Sequence, residues 1–175
     1  MGSDDAARKE TTNMYVKNKI ELLEKLEFTI ERVTNREWEF YKKYHYLNET
    51  IPTGHYYEIK LKNKKVGFIC IRRFTHPIAK DIMMISRLVV VPEFQGFGIG
   101  VKFMESVADL YKGQRIRIIT SLKPFIISLQ KNKNWKCMRF DRVSGGSSTV
   151  NIHSIYKKES TSHNRITATF EYRIK

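Results

Sequence analysis

From the amino end, apolar positions fall into helical and alternating stretches separated by polar turns. Between Lys17 and Leu26 the residues Ile20, Leu22, Leu23 and Leu26 recur at helical spacing, which predicts a short amphipathic helix or arm. Leu26 to Val33 alternates loosely and predicts a first strand. Thr34-Asn35-Arg36-Glu37 has the form of a capping box, so a helix is expected over Asn35 to Tyr44. Along it Trp38, Tyr41 and Tyr44 share one side, with Phe40 a turn before Tyr44, and core packing accounts for that side.

His55 to Leu61 and Lys65 to Phe74 read as two strands joined through the polar turn Lys62-Asn63-Lys64. Ile82 to Val91 is a long run rich in Ile and Val, as a central strand requires, and Pro92 stops it. Gly96, Gly98 and Gly100 then open a helix from Ile99 to Lys112, with Val101, Phe103, Met104, Val107, Ala108 and Tyr111 on its helical period and Gly113 as its cap. Arg115 to Thr120 predicts a strand, Pro124 to Lys131 a short helix, and Trp135 to Phe140 a strand. Residues Asp141 to Asn164 form a polar loop around Gly145-Gly146-Ser147-Ser148, and Ile166 to Ile174 alternates as the closing strand. The alternation of types is that of a mixed α/β domain.

At 175 residues the chain fits one domain with a short arm. Residues 1–13 read as a tag or disordered tail, 14–26 as an N-terminal helix or arm, and 27–175 as the domain itself. The balance of 32 Lys and Arg against 18 Asp and Glu, a formal charge of +14, points to a polyanionic partner such as nucleic acid, or to a solvated basic surface. Cys70 and Cys137 show no ligand spacing and suit a reduced, cytoplasmic protein. Nor do the five histidines, at 45, 55, 76, 153 and 163, show paired metal spacing, so no metal is expected. Apolar runs fall short of the ~20 residues a membrane helix needs, and no membrane partner is expected. An exposed edge strand or the 17–26 helix could support a homodimer.

The chemistry lies in Ser86-Arg87-Leu88-Val89-Val90-Val91-Pro92-Glu93-Phe94-Gln95-Gly96-Phe97-Gly98-Ile99-Gly100. Here a buried strand runs through a glycine turn into a helix, whose first N–H groups and dipole favour a phosphate or pyrophosphate. The dinucleotide fingerprint fails, because Val101 stands where its last glycine should be. A nucleoside triphosphate loop fails for want of Gly-Lys-Ser or Gly-Lys-Thr.

Gln95-Gly96-Phe97-Gly98-Ile99-Gly100 resembles the Gln/Arg-x-x-Gly-x-Gly motif of the GNAT acyltransferases, and the order of elements over residues 27–175 is similar to theirs. That resemblance implies a central, mostly antiparallel twisted sheet, flanked by helices and splayed at an acyl-CoA site. Acetyl-CoA as co-substrate would lie between the strand Ile85–Val91 and the strand Arg115–Thr120. Its pantetheine arm would meet the backbone of Leu88, Val89 and Val90, its pyrophosphate would meet Gln95, Gly96, Phe97, Gly98, Ile99 and Gly100, and Ser121 would sit on the second strand's side. An amide at Leu88 or Val89 would polarise the thioester carbonyl, and the acceptor amine would attack directly.

The family's usual acid, a tyrosine on the helix after the second CoA strand, is replaced by Gln130, which leaves Tyr156 and Tyr172 as substitutes. On the acceptor side stand Tyr44, His45 and Tyr46. His45 is a candidate base, or a helix-end histidine that caps carbonyls. Arg87, a charge inside a central strand, needs either a core ion pair or an anionic acceptor. Asp141 and Glu58 are weaker acid–base candidates. A narrower resemblance rests on His45-Tyr46-Leu47, Ser86-Arg87-Leu88-Val89-Val90 and Thr167-Ala168-Thr169-Phe170-Glu171-Tyr172, which look like the Mom-type proteins that modify adenine in DNA. It would place His45, Tyr46 and Arg87 against a flipped base or the acyl donor, and Lys131, Lys133, Arg139, Arg142, Lys157, Lys158 and Arg165 on phosphates. The functions in play are thus an N-acetyltransferase on an amine of a protein or small molecule, a GNAT-fold enzyme modifying a nucleic-acid base, and a non-catalytic acyl-CoA or nucleic-acid binding module.

Overall fold

The structure is a computed structural model that describes residues 26–45, 50–51, 53–142 and 166–173, the side chains of 141 and 142 excepted. The arm expected over 14–26, Leu26 excepted, and most of the 141–164 loop lie outside the described residues. The strands are β1 (Phe28–Val33), β2 (His55–Leu61), β3 (Lys64–Arg73), β4 (Ile82–Val90), β5 (Arg115–Thr120), β6 (Trp135–Arg142) and β7 (Ile166–Tyr172). They form one seven-stranded sheet in the order β1-β2-β3-β4-β5-β7-β6. Every pairing is antiparallel except β4 with β5. The helices are α1 (Trp38–Tyr41), α2 (Ile99–Ala108) and α3 (Lys123–Lys131).

Period-two alternation divides the core between the two faces of the sheet. Ile69, Ile71 and Ile85 face α2 and α3, where they meet Phe103, Met104, Val107, Leu129 and Phe170. Phe68, Cys70 and Val89 face the other way, toward Trp38 and Tyr41 of α1. Among the described residues, the second cluster is the smaller and sits over the β3–β4 half of the sheet.

The helix expected over 35–44 is wound in three short pieces. A 3-10 turn (Asn35–Glu37) precedes α1, and a second (Lys42–Tyr44) follows it. The capping box does not form: Thr34 makes no side-chain cap bond, and only its carbonyl accepts, from the Glu37 N–H at 3.3 Å. The Glu37 carboxylate is drawn instead to Lys65 on β3. Lys65 also lies 3.4 Å from Glu58, a carboxylate only 1% exposed. Glu58 accepts from Tyr41 Oη at 2.9 Å and has Lys60 at 3.3 Å. Burial and this carboxylate push the Tyr41 hydroxyl's pKa up, so it stays a donor. Glu58, an acid–base candidate in the sequence, is therefore a pinned structural charge. Trp38 and Tyr41 are buried as core, whereas Phe40 and Tyr44 are partly exposed.

α2 ends at Ala108, four residues before the expected Lys112. The chain then tightens, with Leu110 N–H to Val107 O and Tyr111 N–H to Ala108 O, and Gly113 (φ 80°) releases it into β5. The tightening brings Tyr111 inward, where its hydroxyl lies 2.6 Å from His55 Nδ1 and 3.0 Å from Tyr57 Oη. Other boundaries shift by a residue or two. β1 begins at Phe28 rather than Leu26, β3 at Lys64 with Lys62 at φ 54° in the turn, and β6 runs on to Arg142.

Candidate active site

β4 and β5 are paired from Ile82↔Arg115 to Ile85↔Ile118 and no further. Beyond that point β4 continues through Ser86–Val90 on β3 alone, and β5 continues through Ile119 and Thr120 on β7 alone. The two strands diverge into a V. A bulge marks the vertex: Cys70 faces Arg87 and Ile71 faces Ile85, so Ser86 is the extra residue. The Ser86 hydroxyl donates to the Cys70 carbonyl at 3.1 Å. A bulge bends its strand and adds local twist, which turns β4 away from β5 where the opening begins.

Alternation in the antiparallel ladder fixes which amides face that opening. Val91 N–H donates to Val66 O at 2.9 Å, so Val89, two residues back and opposite Phe68, also turns its peptide groups to β3. Leu88 and Val90, between them, turn theirs to the V. The Val90 carbonyl accepts from Gln95 Nε2 at 2.7 Å, which folds the first residue of the glycine motif onto the strand.

After Val91, Pro92–Phe94 make one 3-10 turn, and the chain passes through Gly96 (φ 84°) and Gly98 (φ 75°) into α2. Both torsions are left-handed, where a side chain is strained. A Cβ at either position would meet nothing within 4 Å, so the two glycines border open space. The first helical bonds run from Val101 N–H and Lys102 N–H to Gly98 O, each 3.1 Å. The amides of Ile99 and Gly100 precede them, at the positive end of the helix dipole. Gly100 packs on the strand itself: a Cβ there would lie 3.4 Å from Val90 Cγ2 and 3.8 Å from Leu88 Cδ2. Ile99 is buried and Phe97 packs on the main core, so both offer only backbone to the turn. This open, amide-lined turn fits a diphosphate. Ser121 is half-buried just past the end of β5, beside Thr120, whose hydroxyl accepts from Leu122 N–H at 3.2 Å.

Arg87 and His45 both lie toward the face of the sheet that carries α1. Arg87 donates from Nη1 to Ser86 O at 2.8 Å and from Nη2 to Thr50 O at 3.1 Å. His45 follows the second 3-10 turn, edge-on to Trp38 with ring centroids 5.5 Å apart. Burial first, and then the Arg87 charge, lower its pKa to about 4. Tyr46 lies outside the described residues, as do Tyr156, Lys157, Lys158 and Arg165. Gln130 is exposed near the end of α3. Tyr172 is buried against α2, where it donates to Asp109 at 2.9 Å. That bond, after burial, pushes its pKa up to about 12. It belongs to the core and not to the V. Lys131, Lys133 and Arg139 are exposed. The vertex bulge and the Gln95 contact were not read from the sequence; Ser86, a small polar residue inside an apolar strand, was the available signal.

The His45 shift has a measurable consequence. Its folded pKa lies below the ordinary value of 6.5, so between those values the folded state binds fewer protons than the unfolded one. Stability therefore rises with pH from about 4 to about 6.5 and is lost as pH falls. Allowing for partial exposure, this amounts to about 1–2 kcal/mol. Urea midpoints at pH 7 and pH 4.5 should lie closer together in His45→Gln than in the parent protein.

The family model for the acetyltransferase (GNAT) family matches residues 18–129. The chain belongs to that family. Solved structures of similar fold include the ribosomal-protein-S18-alanine N-acetyltransferase of Escherichia coli, with 12% identity, TM-score 0.59 and coverage of 85% of this chain and 94% of that one. An IAA acetyltransferase from Bacillus cereus is 18% identical, with TM-score 0.52 and coverage of 85% and 100%. A GNAT family acetyltransferase from Elizabethkingia anophelis with acetyl-CoA bound is 15% identical, with TM-score 0.52 and coverage of 84% and 98%. No curated protein sequence matches the chain. Among the described residues no helix is long and apolar enough to cross a membrane.

Proposed function

We propose that this chain is an acetyl-CoA-dependent N-acetyltransferase in which an acceptor amine attacks the thioester directly. The observation that carries the reading is the V between β4 and β5, with the glycine turn at its open end. The amides of Ile99 and Gly100, with the left-handed glycines before them, would hold the diphosphate. Leu88 and Val90 would pair with the pantetheine arm, Gln95 yielding the Val90 carbonyl as the arm enters. Acetyl-CoA supplies the activated acetyl group.

The Leu88 N–H, two residues past the bulged Ser86, supports the carbonyl oxygen as negative charge develops there. Of the two amides considered for that role, Val89's is engaged with β3. His45 is neutral at physiological pH and too weakly basic to store a proton, so it orients the amine or its water by accepting a hydrogen bond. With Gln130 exposed and Tyr172 tied to Asp109, the amine's proton leaves through water.

The test is transfer of label from acetyl-CoA. Purified protein and labelled acetyl-CoA are added to a cell extract, and label is counted in small-molecule, protein, DNA and RNA fractions. Label on amines of small molecules or protein is the expected result. Label confined to DNA or RNA would replace this reading with base modification, which the +14 charge would then serve. No label anywhere, with acetyl-CoA bound, would leave a binding module.

A further inference from the structure

The arginines on the two V strands are not treated alike. Arg115 makes a two-pronged pair with Asp81, at 2.8 and 2.7 Å, and Arg117 pairs with Glu171 at 2.6 Å. Arg87, which follows the bulged Ser86 where β4 leaves β5, has no carboxylate partner among the described residues. Two backbone carbonyls hold its terminal nitrogens, and its Nε is buried with no acceptor. Carbonyl oxygens orient a guanidinium but do not neutralise it, and a partly buried cation without an anion is costly.

The surroundings sharpen the point. Arg87 pairs in register with Cys70, whose side chain lies on the α1 face, and Arg72, two residues on from Cys70, projects to the same face. The described carboxylates on and around α1 are already engaged, Glu39 with Lys42, Glu37 with Lys65, Glu58 with Lys60 and Lys65, and Glu31 with Lys60. The mouth of the V on this face is therefore positive and lacks a counterion from the chain's own described residues. It lies opposite the face carrying α2, whose amino end would hold the diphosphate.

We infer that the acceptor is a small amine bearing an anionic oxygen group, carboxylate or phosphate, which Arg87 binds beside the reacting nitrogen. This deepens the acetyltransferase reading and rests on it. The two carbonyl contacts use one N–H of each terminal nitrogen and leave the other N–H of each to take an oxyanion. The amine nitrogen then forms the new bond to the acetyl carbon as the carbon–sulfur bond breaks, and the thiol leaves with a proton delivered through water. A polyamine would meet the like charge of Arg87 and Arg72 at this point.

The test is a panel of short amino acids, each assayed beside its carboxamide and its decarboxylated amine, with O-phosphoethanolamine beside ethanolamine. Free thiol release and mass spectrometry of the acetylated amine give kcat/KM. The parent protein should prefer the oxyanion-bearing member of a pair by about tenfold or more. Preference for the carboxylate pairs, or for the phosphate pair, identifies which anion is natural. In Arg87→Gln that ratio should collapse toward one, and Arg87→Lys should restore part of it. Acetyl-CoA affinity, measured calorimetrically on every variant, reports that the site is folded and keeps the two readings separable. If acetyl-CoA fails to bind the parent protein, the acetyltransferase reading itself falls. If it binds but the panel shows no preference, a preference for the uncharged or cationic member, a preference that survives Arg87→Gln, or no acetylation of any member, the Arg87 inference is overturned.

Discussion

With the Leu88 amide replaced by an ester, acetyl transfer should slow by about 100-fold while acetyl-CoA affinity changes by only a few-fold. The expectation follows from the ladder. Val91 N–H is committed to Val66 O, so alternation gives Val89 to β3 and Leu88 to the open side. The ester, introduced as an α-hydroxy acid by semisynthesis, removes a single N–H and keeps the side chain that packs on the core cluster. A donor aimed at developing charge contributes far more in the transition state than in the ground state, so kcat and not KM should carry the loss. Thiol release from acetyl-CoA can be followed with the best amine found, or with water as a slow acceptor. The same change at Val89 is the internal control. It deletes a bond to β3, so it should lower the unfolding midpoint and leave the rate nearly intact. Equal rate losses at the two positions, or none at Leu88, would remove the Leu88 amide from the mechanism.

The parts of this molecule that were legible in sequence are those where one residue type has one physical use. Gly96 and Gly98 stand at left-handed torsions, and Gly100 lies where a helix meets Val90 and Leu88, so the motif specified its own geometry. The apolar period of Val101, Phe103, Met104, Val107 and Ala108 is buried in full, and the strand alternations hold to within a residue or two. What the sequence left out are choices between competing partners. Glu37 had a local option, the cap at Thr34, and a distant one, Lys65 near the buried Glu58; the distant charge took it. Tyr111 looked like the last turn of a regular helix, but its hydroxyl joins His55 and Tyr57 across 56 and 54 residues, and the helix ends early. The bulge at Ser86 is likewise a property of two strands, β3 and β4, and neither shows it alone. Arg87 was legible as a charge in need of an anion, whereas the engagement of its neighbours' carboxylates with Lys60 and Lys65 was not.

The glycine turn gives the other large effect: Gly98→Val should weaken acetyl-CoA binding by about 100-fold, read by calorimetry. Two causes add. Gly98 holds φ 75° at the position just before α2, and a β-branched residue there tips the free turn out of shape, so that binding must restore it at about 1–2 kcal/mol. The new side chain also enters the open space before the Ile99 and Gly100 amides, where it displaces charge-assisted hydrogen bonds to the diphosphate of about 1.5–3 kcal/mol each. A tenfold change in affinity corresponds to about 1.4 kcal/mol, so losing one such bond with the strain reaches the expected factor. Gly113→Val separates the causes. Gly113 has φ 80° and open space around its Cβ direction, as Gly98 does, but it stands beyond the far end of α2. Its variant should show a comparable fall in thermal midpoint with acetyl-CoA affinity unchanged. Should Gly113→Val weaken binding as much as Gly98→Val, the loss at Gly98 would be general destabilisation. Should Gly98→Val bind as the parent does, the anion would have to sit elsewhere along the V, and the amides of Ile99 and Gly100 would lose their assignment.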